Sequence, residues 1–353
     1  MKVKLGELTK IRTGKLDANA ASENGEYPFF TCSKEPLRIS TYSYDCECVL
    51  VAGNGDLNAK YYNGKFDAYQ RTYIIESNGD GRLHLPYLYH FMTRYIQELR
   101  KLSIGGVIKY IKLGNLTDAE ITLPSIKEQK DACEKLEKIK NIIDEKEAQI
   151  SYLDNLIKAR FVEMFGDRFL NTMNWPIKKL GDCATFRNGK AHEKVISETG
   201  QYILVTSRAI ASDLQDVRHT DSLLTPLAID DIVMVMSDIP NGRALAKCLL
   251  ITENEKYTLN QRICSLSNYD LNPIFFTYLL NRHQYFLSFN DGNGQTNLRK
   301  DDILKCPLIV PPIELQNQFA TFVAQVDKSK FAVQKSLEKT QQLFDSLMQE
   351  YFG

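Results

Sequence analysis

The sequence lacks the cysteine and histidine patterns that hold metals or staple small secreted domains. Its eight cysteines include no Cys-x-x-Cys pair, and its five histidines are far apart in the chain. Such cysteines are typical of reduced thiols. No apolar run approaches the roughly 20 residues of a membrane span, and the N-terminus has no apolar signal-peptide segment. These absences predict a cytoplasmic protein with free thiols, no bound metal and no disulfides.

Catalytic motifs are missing as well. The sequence has no Gly-x-x-x-x-Gly-Lys-Ser/Thr loop to cradle phosphates. The segment Asn272-Pro273-Ile274-Phe275 departs at its third position from the Asn-Pro-Pro-Tyr/Phe motif of amino-methyltransferases, and it predicts a helix that Asn272 caps. The carboxylates Asp230, Asp231 and Asp238 could suggest a metal-dependent nuclease, but Asp230 and Asp231 precede an apolar strand and predict a turn. No catalytic residue and no cofactor bound by this chain are therefore predicted.

Charge is balanced, with 44 basic and 44 acidic residues in 353. A net charge of zero argues against indiscriminate binding to nucleic acids, although it permits a local basic face. Hydrophobic residues make up 43% and charged residues 25% of the chain, as in an ordinary globular protein. The length predicts two or three domains.

What the sequence does contain is an internal repeat. Residues 126–166 align without a gap on residues 313–353, at an offset of 187 (313 − 126), and both segments end in Phe-Gly. Nearer the N-terminus of each unit the offset is 175 (180 − 5), and the middle of the second unit is longer. A chain that is one unit written twice can present two similar surfaces about a pseudo-twofold axis.

The middle of each unit is predicted to be rich in β-structure. Asn-Gly turns at positions 54, 63 and 78 separate short β-branched or aromatic runs, which are Tyr27–Thr31, Cys48–Ala52, Thr72–Ile75, Tyr202–Thr206 and Ile232–Met236. Each middle ends in a predicted helix, Leu85–Leu102 in the first unit and Pro273–Phe289 in the second. The fold class is therefore α+β.

The ends of the units are predicted to be long helices. Ile126–Phe165 contains neither proline nor glycine, and at 1.5 Å per residue it would span roughly 60 Å. Lys146, Arg160 and, in the second unit, Lys330 interrupt an apolar heptad pattern that favours pairing of the two helices as an antiparallel coiled coil. The predicted pairing residues are Leu136, Ile143, Ile150, Ile157, Val323, Leu337 and Phe344.

Polar, glycine-rich loops occupy matching places in both units and are candidate DNA contacts. They are residues 52–60 and 103–110 in the first unit and residues 237–243 and 290–297 in the second. Asn, Gln, Arg and Lys side chains read base edges or hold phosphates. With nearby residues, the candidates are Lys15, Asn54, Asn58, Lys60, Arg71, Gly105, Gly106, Lys109, Tyr110, Lys190, Thr206, Arg208, Asn241, Arg243, Arg262, Asn293, Gln295, Thr296, Asn297 and Arg299.

The chain resembles the specificity subunit of type I restriction-modification systems. Three duplicated features carry the resemblance: the Leu-Gly-Glu/Asp and Arg-x-Gly-Lys openings, the Pro-x-Ile-x-x-Gln helix entries, and the Phe-Gly helix ends. They start at Leu5, Arg12, Pro124 and Phe165 and again at Leu180, Arg187, Pro311 and Phe352.

The resemblance implies two target-recognition domains, at 1–123 and 167–310, and two conserved helices, at 124–166 and 311–353. Each domain would read one half of a split site in double-stranded DNA, and the helices would set the spacer. The resemblance also implies two methyltransferase subunits, motor-nuclease restriction subunits, and S-adenosylmethionine, ATP and Mg on those partners. A coiled-coil scaffold that does not bind DNA and a magnesium-dependent nuclease are the alternatives.

Overall fold

The structure, a computed structural model, describes residues 2–239, 242–292 and 294–353. The chain divides into two compact units, which we call unit 1 (Met1–Ala148 with Val333–Gly353) and unit 2 (Gln149–Ala332). This division cuts both long helices, so the domain boundaries given above stay predictions. Within the described ranges, no helix is long and apolar enough to cross a membrane.

Unit 1 is built on a six-stranded sheet covered by a helix. Besides a short 3-10 helix at Ala18–Ala20, its elements in chain order are β1 (Lys2–Lys4), α1 (Leu5–Leu8), β2 (Thr9–Thr13), β3 (Tyr27–Phe30), β4 (Leu37–Ile39), β5 (Tyr44–Ala52), β6 (Ala59–Ala68), β7 (Thr72–Ser77), α2 (Leu85–Leu102), α3 (Leu113–Thr117), β8 (Glu120–Thr122) and α4 (Ile126–Phe165). The sheet order is β2-β7-β5-β6-β3-β4, and β1 pairs separately with β8.

The central strand β5 is buried on both faces. Side chains alternate across a strand, so Val49 and Val51 pack in the core that includes α2, whereas Cys48 and Leu50 pack in a second cluster around Phe66. Its neighbour β6 pairs with β5 over eight residues and then with β3 in parallel through Asp67 and Ala68.

The Asn63-Gly64 turn expected from the sequence is wrong. Both residues lie inside β6, where they pair with Glu47 and Cys46 of β5. Gly64 has a φ of 137° within the strand, a backbone conformation that favours glycine. Continuous pairing on either side therefore overrides a local turn signal, whereas Asn54 and Asn78 do lie at the ends of strands.

Unit 2 repeats the plan with shorter strands. Its elements are β9 (Ile177–Lys179), α5 (Leu180–Cys183), β10 (Thr185–Asn188), β11 (Tyr202–Val205), α6 (Ser207–Ala211), β12 (Arg218–Thr220), β13 (Ile232–Val235), β14 (Ser237–Asp238), β15 (Cys248–Leu250), β16 (Tyr257–Leu259), β17 (Ile263–Ser267), α7 (Pro273–Leu280), α8 (Gln284–Leu287), β18 (Thr296–Asn297), α9 (Lys300–Leu304), β19 (Pro307–Ile309) and α10 (Ile313–Phe352).

The sheet of unit 2 is split where that of unit 1 is continuous. One sheet has the order β10-β17-β13-β15 and another the order β12-β11-β16. In unit 1 the single strand β6 pairs with both β5 and β3. In unit 2 these two pairings belong to separate strands, since β15 pairs with β13 and β16 pairs in parallel with β11. Residues 251–256, which connect β15 to β16, interrupt the shared strand.

The helix expected at Pro273–Phe289 is broken into α7 and α8. Asn272 caps α7 as expected, because its Oδ1 accepts from the backbone N–H groups of Ile274 (3.0 Å) and Phe275 (3.2 Å). Arg282 has a φ of 51°, which ends the helix. The Arg168 guanidinium donates to carbonyls near that end, including Leu279 at 3.0 Å and Asn281 at 2.8 Å. A distant residue thus stabilises a break that the local sequence conceals.

The long helices α4 and α10 pair antiparallel within each unit. In unit 1, Lys146 Nζ donates to Ser336 Oγ at 2.8 Å, and in unit 2, Lys330 Nζ lies 2.6 Å from Asp154 Oδ1. The lysines that interrupt the apolar pattern therefore make polar contacts across the pair. Among the expected pairing residues, those at 136, 143, 157 and 323 are buried and those at 150, 337 and 344 are half-buried.

A buried glutamine anchors the start of each long helix. Gln129 Oε1 accepts from the His84 backbone N–H at 2.8 Å, and its Nε2 donates to the Arg82 and Pro124 carbonyls. In unit 2, Gln316 accepts from Asn272 N at 2.9 Å and donates to the Pro311 carbonyl at 2.8 Å. The Pro-x-Ile-x-x-Gln motif is thus a scaffold device that ties α4 to the start of α2, and α10 to the start of α7.

The Arg-x-Gly-Lys motif is mostly structural too. A Cβ at Gly14 would lie 2.1 Å from the Ala68 carbonyl oxygen, and one at Gly189 would lie 1.9 Å from that of Asn260. The motif arginines form ion pairs, Arg12 with Glu76 at 2.7 Å and Arg187 with Asp231 at 3.2 Å. The lysines at 15 and 190 remain exposed.

Candidate nucleic-acid interface

The two candidate loops of unit 1 meet each other. Asn54 pairs with Tyr110 in an antiparallel bridge, and Gly55 N donates to the Lys109 carbonyl at 3.0 Å. Arg71 joins them, since its carbonyl accepts from Gly53 N at 2.8 Å. Residues separated by more than 50 positions therefore form one continuous surface, which we call surface 1.

Unit 2 brings the matching segments together in the same way. Ser237 and Asp238 of β14 pair with Asn297 and Thr296 of β18, and Gln295 Nε2 donates to Ser237 Oγ at 2.7 Å. The Arg262 carbonyl accepts from Met236 N at 3.0 Å, as that of Arg71 does from Gly53. We call this surface 2.

The side chains of surface 1 divide into exposed and half-buried groups. Lys15, Arg71 and Lys109 are exposed. Asn58 donates to the Cys32 carbonyl at 2.8 Å and accepts from Lys60 Nζ. Burial lowers the pKa of Lys60, because a low dielectric disfavours its charged form. Asn58 and Lys60 thus help to hold the loop, and the exposed cations are free to meet an anion.

A polar cleft of about 410 Å³ adjoins surface 2 at Arg262. Thr206, Arg208 and Arg262, all expected as candidates, line it, and sequence reasoning missed its other lining residues, Ser207, Asp216, Arg218, Asn260 and Gln261. Three arginines against one carboxylate make the cleft cationic. Such a site suits phosphate or the acceptor edge of guanine.

Several groups in the cleft are already held in place. Thr206 Oγ accepts from Ala209 N at 3.2 Å and so caps α6. Arg208 lies 3.6 Å from Asp216. Arg262 has a left-handed φ of 66°, an uncommon conformation for a non-glycine residue that is often found at functional sites. Asn260 Oδ1 is buried without a hydrogen-bond partner among the described residues.

Some of the cleft residues that the sequence analysis missed could have been found from the sequence, and others could not. Asn260 and Gln261 directly precede Arg262, so proximity to a candidate could have included them. Arg218 and Asp216 lie in the stretch where the second unit is longer. The matching strand of unit 1, β4, has the apolar Leu37 where β12 has Arg218, so the repeat did not mark them. Only the pairing of β12 with β11, which places Arg218 opposite Leu204, brings them to the cleft.

The remaining candidates are placed as follows. Arg243 and Arg299 are exposed, and Arg299 directly precedes α9. Gly105 and Gly106 lie at the exposed tip of the second loop of unit 1, and Lys190 is exposed in unit 2. Asn241 and Asn293 lie outside the described residues.

The carboxylates that motivated the nuclease alternative are engaged by other groups. Asp231 Oδ2 accepts from Ala228 N at 3.0 Å in the expected turn and pairs with Arg187. Asp238 accepts from the backbone N–H groups of Ile239, Ala244 and Leu245 at 2.7–3.1 Å. Among residues 2–239, 242–292 and 294–353, no three His, Cys, Asp or Glu side chains converge to hold a metal ion.

Known proteins resemble this chain in sequence and in fold. The type I restriction enzyme EcoDI specificity subunit of Escherichia coli is 40% identical over 156 residues, which is 44% of this chain and 34% of that protein. The match thus spans about a third of that relative's length. The crystal structure of a type I restriction-modification S subunit from M. genitalium has a TM-score of 0.62 at 16% identity, covering 100% of this chain and 96% of that one.

A second solved structure agrees. It is described as the structural basis of complex assembly and conformational transition of the type I R-M system, and it has a TM-score of 0.60 at 15% identity, covering 100% of this chain and 97% of that one. At these identities the two structures show the fold. The family model described as type I restriction modification DNA specificity domain matches residues 1–152 and 173–343. Because that model matches both repeats, the chain belongs to the type I restriction-modification DNA specificity family.

Proposed function

We propose that this chain is the DNA-reading specificity subunit of a type I restriction-modification complex, with surface 1 and surface 2 each reading one half of a bipartite site. One observation carries the proposal. Both units bring two distant loops and an arginine-bearing turn into a single exposed surface through equivalent backbone contacts. Duplicated surfaces suit a target with two half-sites.

The side chains suggest how the reading is divided. Gln295, Asn297 and the arginines of the cleft offer the donors and acceptors that distinguish bases in the major groove. Lys15, Lys190 and Arg71 are suited to phosphates, which fix the register of the protein on the duplex. The paired helices would set the spacing between half-sites.

The proposal assigns catalysis to partners. Two methyltransferase subunits would carry S-adenosylmethionine and extrude the target adenine from the duplex. Restriction subunits would supply ATP- and Mg-dependent cleavage. This chain would then supply the sequence specificity of the complex and bind none of these cofactors itself.

Methylome sequencing tests the proposal. The full chain is expressed in cells with its methyltransferase partner, and modified adenines are mapped by single-molecule sequencing. We expect a split motif that is methylated on both strands and disappears when this chain is deleted. A contiguous motif, or no motif, would contradict the reading of two half-sites and favour a scaffold.

Arg71→Ala and Arg262→Ala separate reading from scaffolding. If the surfaces bind DNA, each substitution should weaken binding of the assembled complex to its duplex, whereas a scaffold would keep its affinity. Gln325→Ala is the control, because Gln325 is exposed on α10 and belongs to neither surface.

A further inference from the structure

The second loop of unit 1 exposes apolar side chains where its counterpart in unit 2 is polar. Val107 is fully exposed and Ile108 is 62% exposed. At the offset of 187, the apolar residues Ile104, Val107, Ile108 and Tyr110 correspond to Asp291, Gly294, Gln295 and Asn297. Leu102 and Leu113 are exposed beside them. Concentrated exposed apolar surface marks an interaction site.

The loop is a closed hairpin with a firm base. Ile104 N donates to the Tyr110 carbonyl at 3.0 Å, and Tyr110 N donates back to Ile104 at 2.9 Å. The base is docked on the Asn54 loop through the bridge between Asn54 and Tyr110. Arg100, near the end of α2, pairs with Asp56 of that loop at 3.0 Å. The apolar tip therefore projects from a supported base.

Two acidic residues near the hairpin, Asp56 and Glu98, pair with Arg100 and Lys101, which leaves positive charges next to the tip. The segment 99–117 contains four basic residues and no acidic one. Lys109 and Lys112 are exposed, and neither has an ion-pair partner in the described part of unit 1. An apolar tip flanked by cations complements DNA, in which phosphates flank stacked bases. Its place on surface 1, beside Asn54, favours DNA over a protein partner.

We propose that this hairpin inserts Val107 and Ile108 as a wedge at one base step of the half-site that unit 1 reads. Apolar side chains cannot satisfy the hydrogen-bonding edges of bases, but they can unstack a step and kink the duplex. Unit 2, with Gln295 and Asn297 in the same place, reads its half-site by hydrogen bonds. This inference rests on the proposed function.

Fluorescent base analogues test the wedge. The complex of the full chain with its methyltransferase subunits is bound to a duplex that carries the motif found by methylome sequencing. At each purine of either half-site in turn, 2-aminopurine replaces adenine or 6-methylisoxanthopterin replaces guanine. The target adenine of each half-site is left out, because the methyltransferase subunits would extrude it. At the other positions we expect fluorescence to rise at one step of the half-site read by unit 1. The double substitution Val107→Ser/Ile108→Ser should abolish the rise and weaken binding about tenfold.

The matched control is Ile142→Ser, which removes a 42% exposed isoleucine from α4. It should leave both readouts unchanged. Tight wild-type binding without an unstacked step would overturn the wedge and leave the proposed function intact. Sensitivity to replacing thymine by uracil, without unstacking, would overturn it in favour of methyl contacts.

Two further outcomes would also overturn the wedge. If the double substitution instead releases the methyltransferase subunits while assembled complexes bind DNA normally, the hairpin is a protein contact. If the wild-type complex binds no duplex specifically, the proposed function itself fails, and the wedge fails with it.

Discussion

Gln129 of unit 1 and Gln316 of unit 2 occupy equivalent places and share two equivalent hydrogen bonds. Ile108 and Gln295 also occupy equivalent places but differ in chemistry. The first pair is buried where a helix starts. The second pair lies on an exposed loop. Duplicated units therefore retain the residues that position their helices and diverge where a ligand would be met.

The sheets of the two units also differ in one strand but share a close backbone contact. In unit 1, β6 is one ten-residue strand, and in unit 2 the connection between β15 and β16 interrupts it. Yet Gly14 and Gly189 are crowded by the same turn in both units. Both units therefore keep the close backbone approach, although only unit 1 keeps the strand unbroken.

The largest expected loss of stability comes from placing a side chain where the backbone approaches Gly14 or Gly189. Gly14→Ala or Gly189→Ala places a Cβ about 2 Å from a backbone carbonyl oxygen, so each should cost about 3 kcal/mol or more through forced displacement. Hydrogen exchange should show lost protection only in the unit that carries the substitution. Gly106→Ala is the control, because its Cβ meets nothing within 4 Å. Equal loss in both units would show that they are not independently supported.

The next largest expected effect concerns the pH dependence of stability, to which one buried or half-buried histidine in each unit contributes. Burial, aided in His283 by the charge of Arg168, lowers the pKa of His90 and of His283 to about 4. Each group therefore contributes stability that is fully present above about pH 6.5, its unfolded pKa, and is lost as pH falls towards 4. Fully buried His283 should account for about 2–3 kcal/mol of that loss, and half-buried His90 for less.

Urea unfolding of the full chain between pH 7 and pH 4.5 measures this difference. In the structure, Tyr285 N donates a hydrogen bond to His283 Nδ1 at 3.2 Å, and the asparagine of His283→Asn retains an acceptor for it. The variant should flatten the pH dependence more than His90→Asn does. An unchanged slope in His283→Asn would show that the pKa of His283 is the same in the folded and the unfolded protein.

Removing the buried amides should have a somewhat smaller effect. Gln129→Leu leaves one N–H and two carbonyl groups without a partner, and Gln316→Leu leaves one of each. We expect losses of about 2 kcal/mol in unit 1 and about 1–2 kcal/mol in unit 2, measured by urea unfolding. Gln325→Leu, on an exposed face of α10, should change stability little. Equal losses would show that bond number does not set the cost.

The smallest effect concerns recognition. Gln295→Ala should weaken binding to the half-site read by unit 2 by about 1–2 kcal/mol, the worth of a base contact, and leave the other half-site unaffected. Competition binding with duplexes mutated in one half-site measures it. Uniform weakening across sequences would reassign Gln295 to a phosphate contact. Asn155→Ala, on α4 within unit 2, is the control.

Much of the fold was predictable because its signals are local. The heptad pattern of 126–165 and the cap at Asn272 depend on residues within a few positions of each other, and both predictions are confirmed. The break between α7 and α8 was not predictable, since Arg168 acts on it from more than 100 positions away. The Asn63-Gly64 signal failed because pairing with β5, at Glu47 and Cys46, outweighs the local turn preference.

The candidate site was predictable to a similar extent. Matching loops in a duplicated chain marked where a surface would form, and the tertiary structure joined Asn54 to Tyr110 and Ser237 to Asn297. The repeat did not mark Arg218 and Asp216, because Arg218 corresponds to the apolar Leu37 of β4. The pairing of β11 with β12 brings this stretch to the cleft. Which of these residues contact DNA stays a prediction.

The sequence by itself determined that this protein is one α+β unit written twice, with two long helices and fixed glycine and glutamine positions. Periodicity, caps and close approaches are encoded in neighbouring residues or in the repeat, so they can be read from the chain. The tertiary structure decided which strand runs unbroken, where α7 stops and which loop side chains share a surface. Those outcomes depend on hydrogen bonds between residues far apart in the chain, and such pairings form only when the whole unit folds.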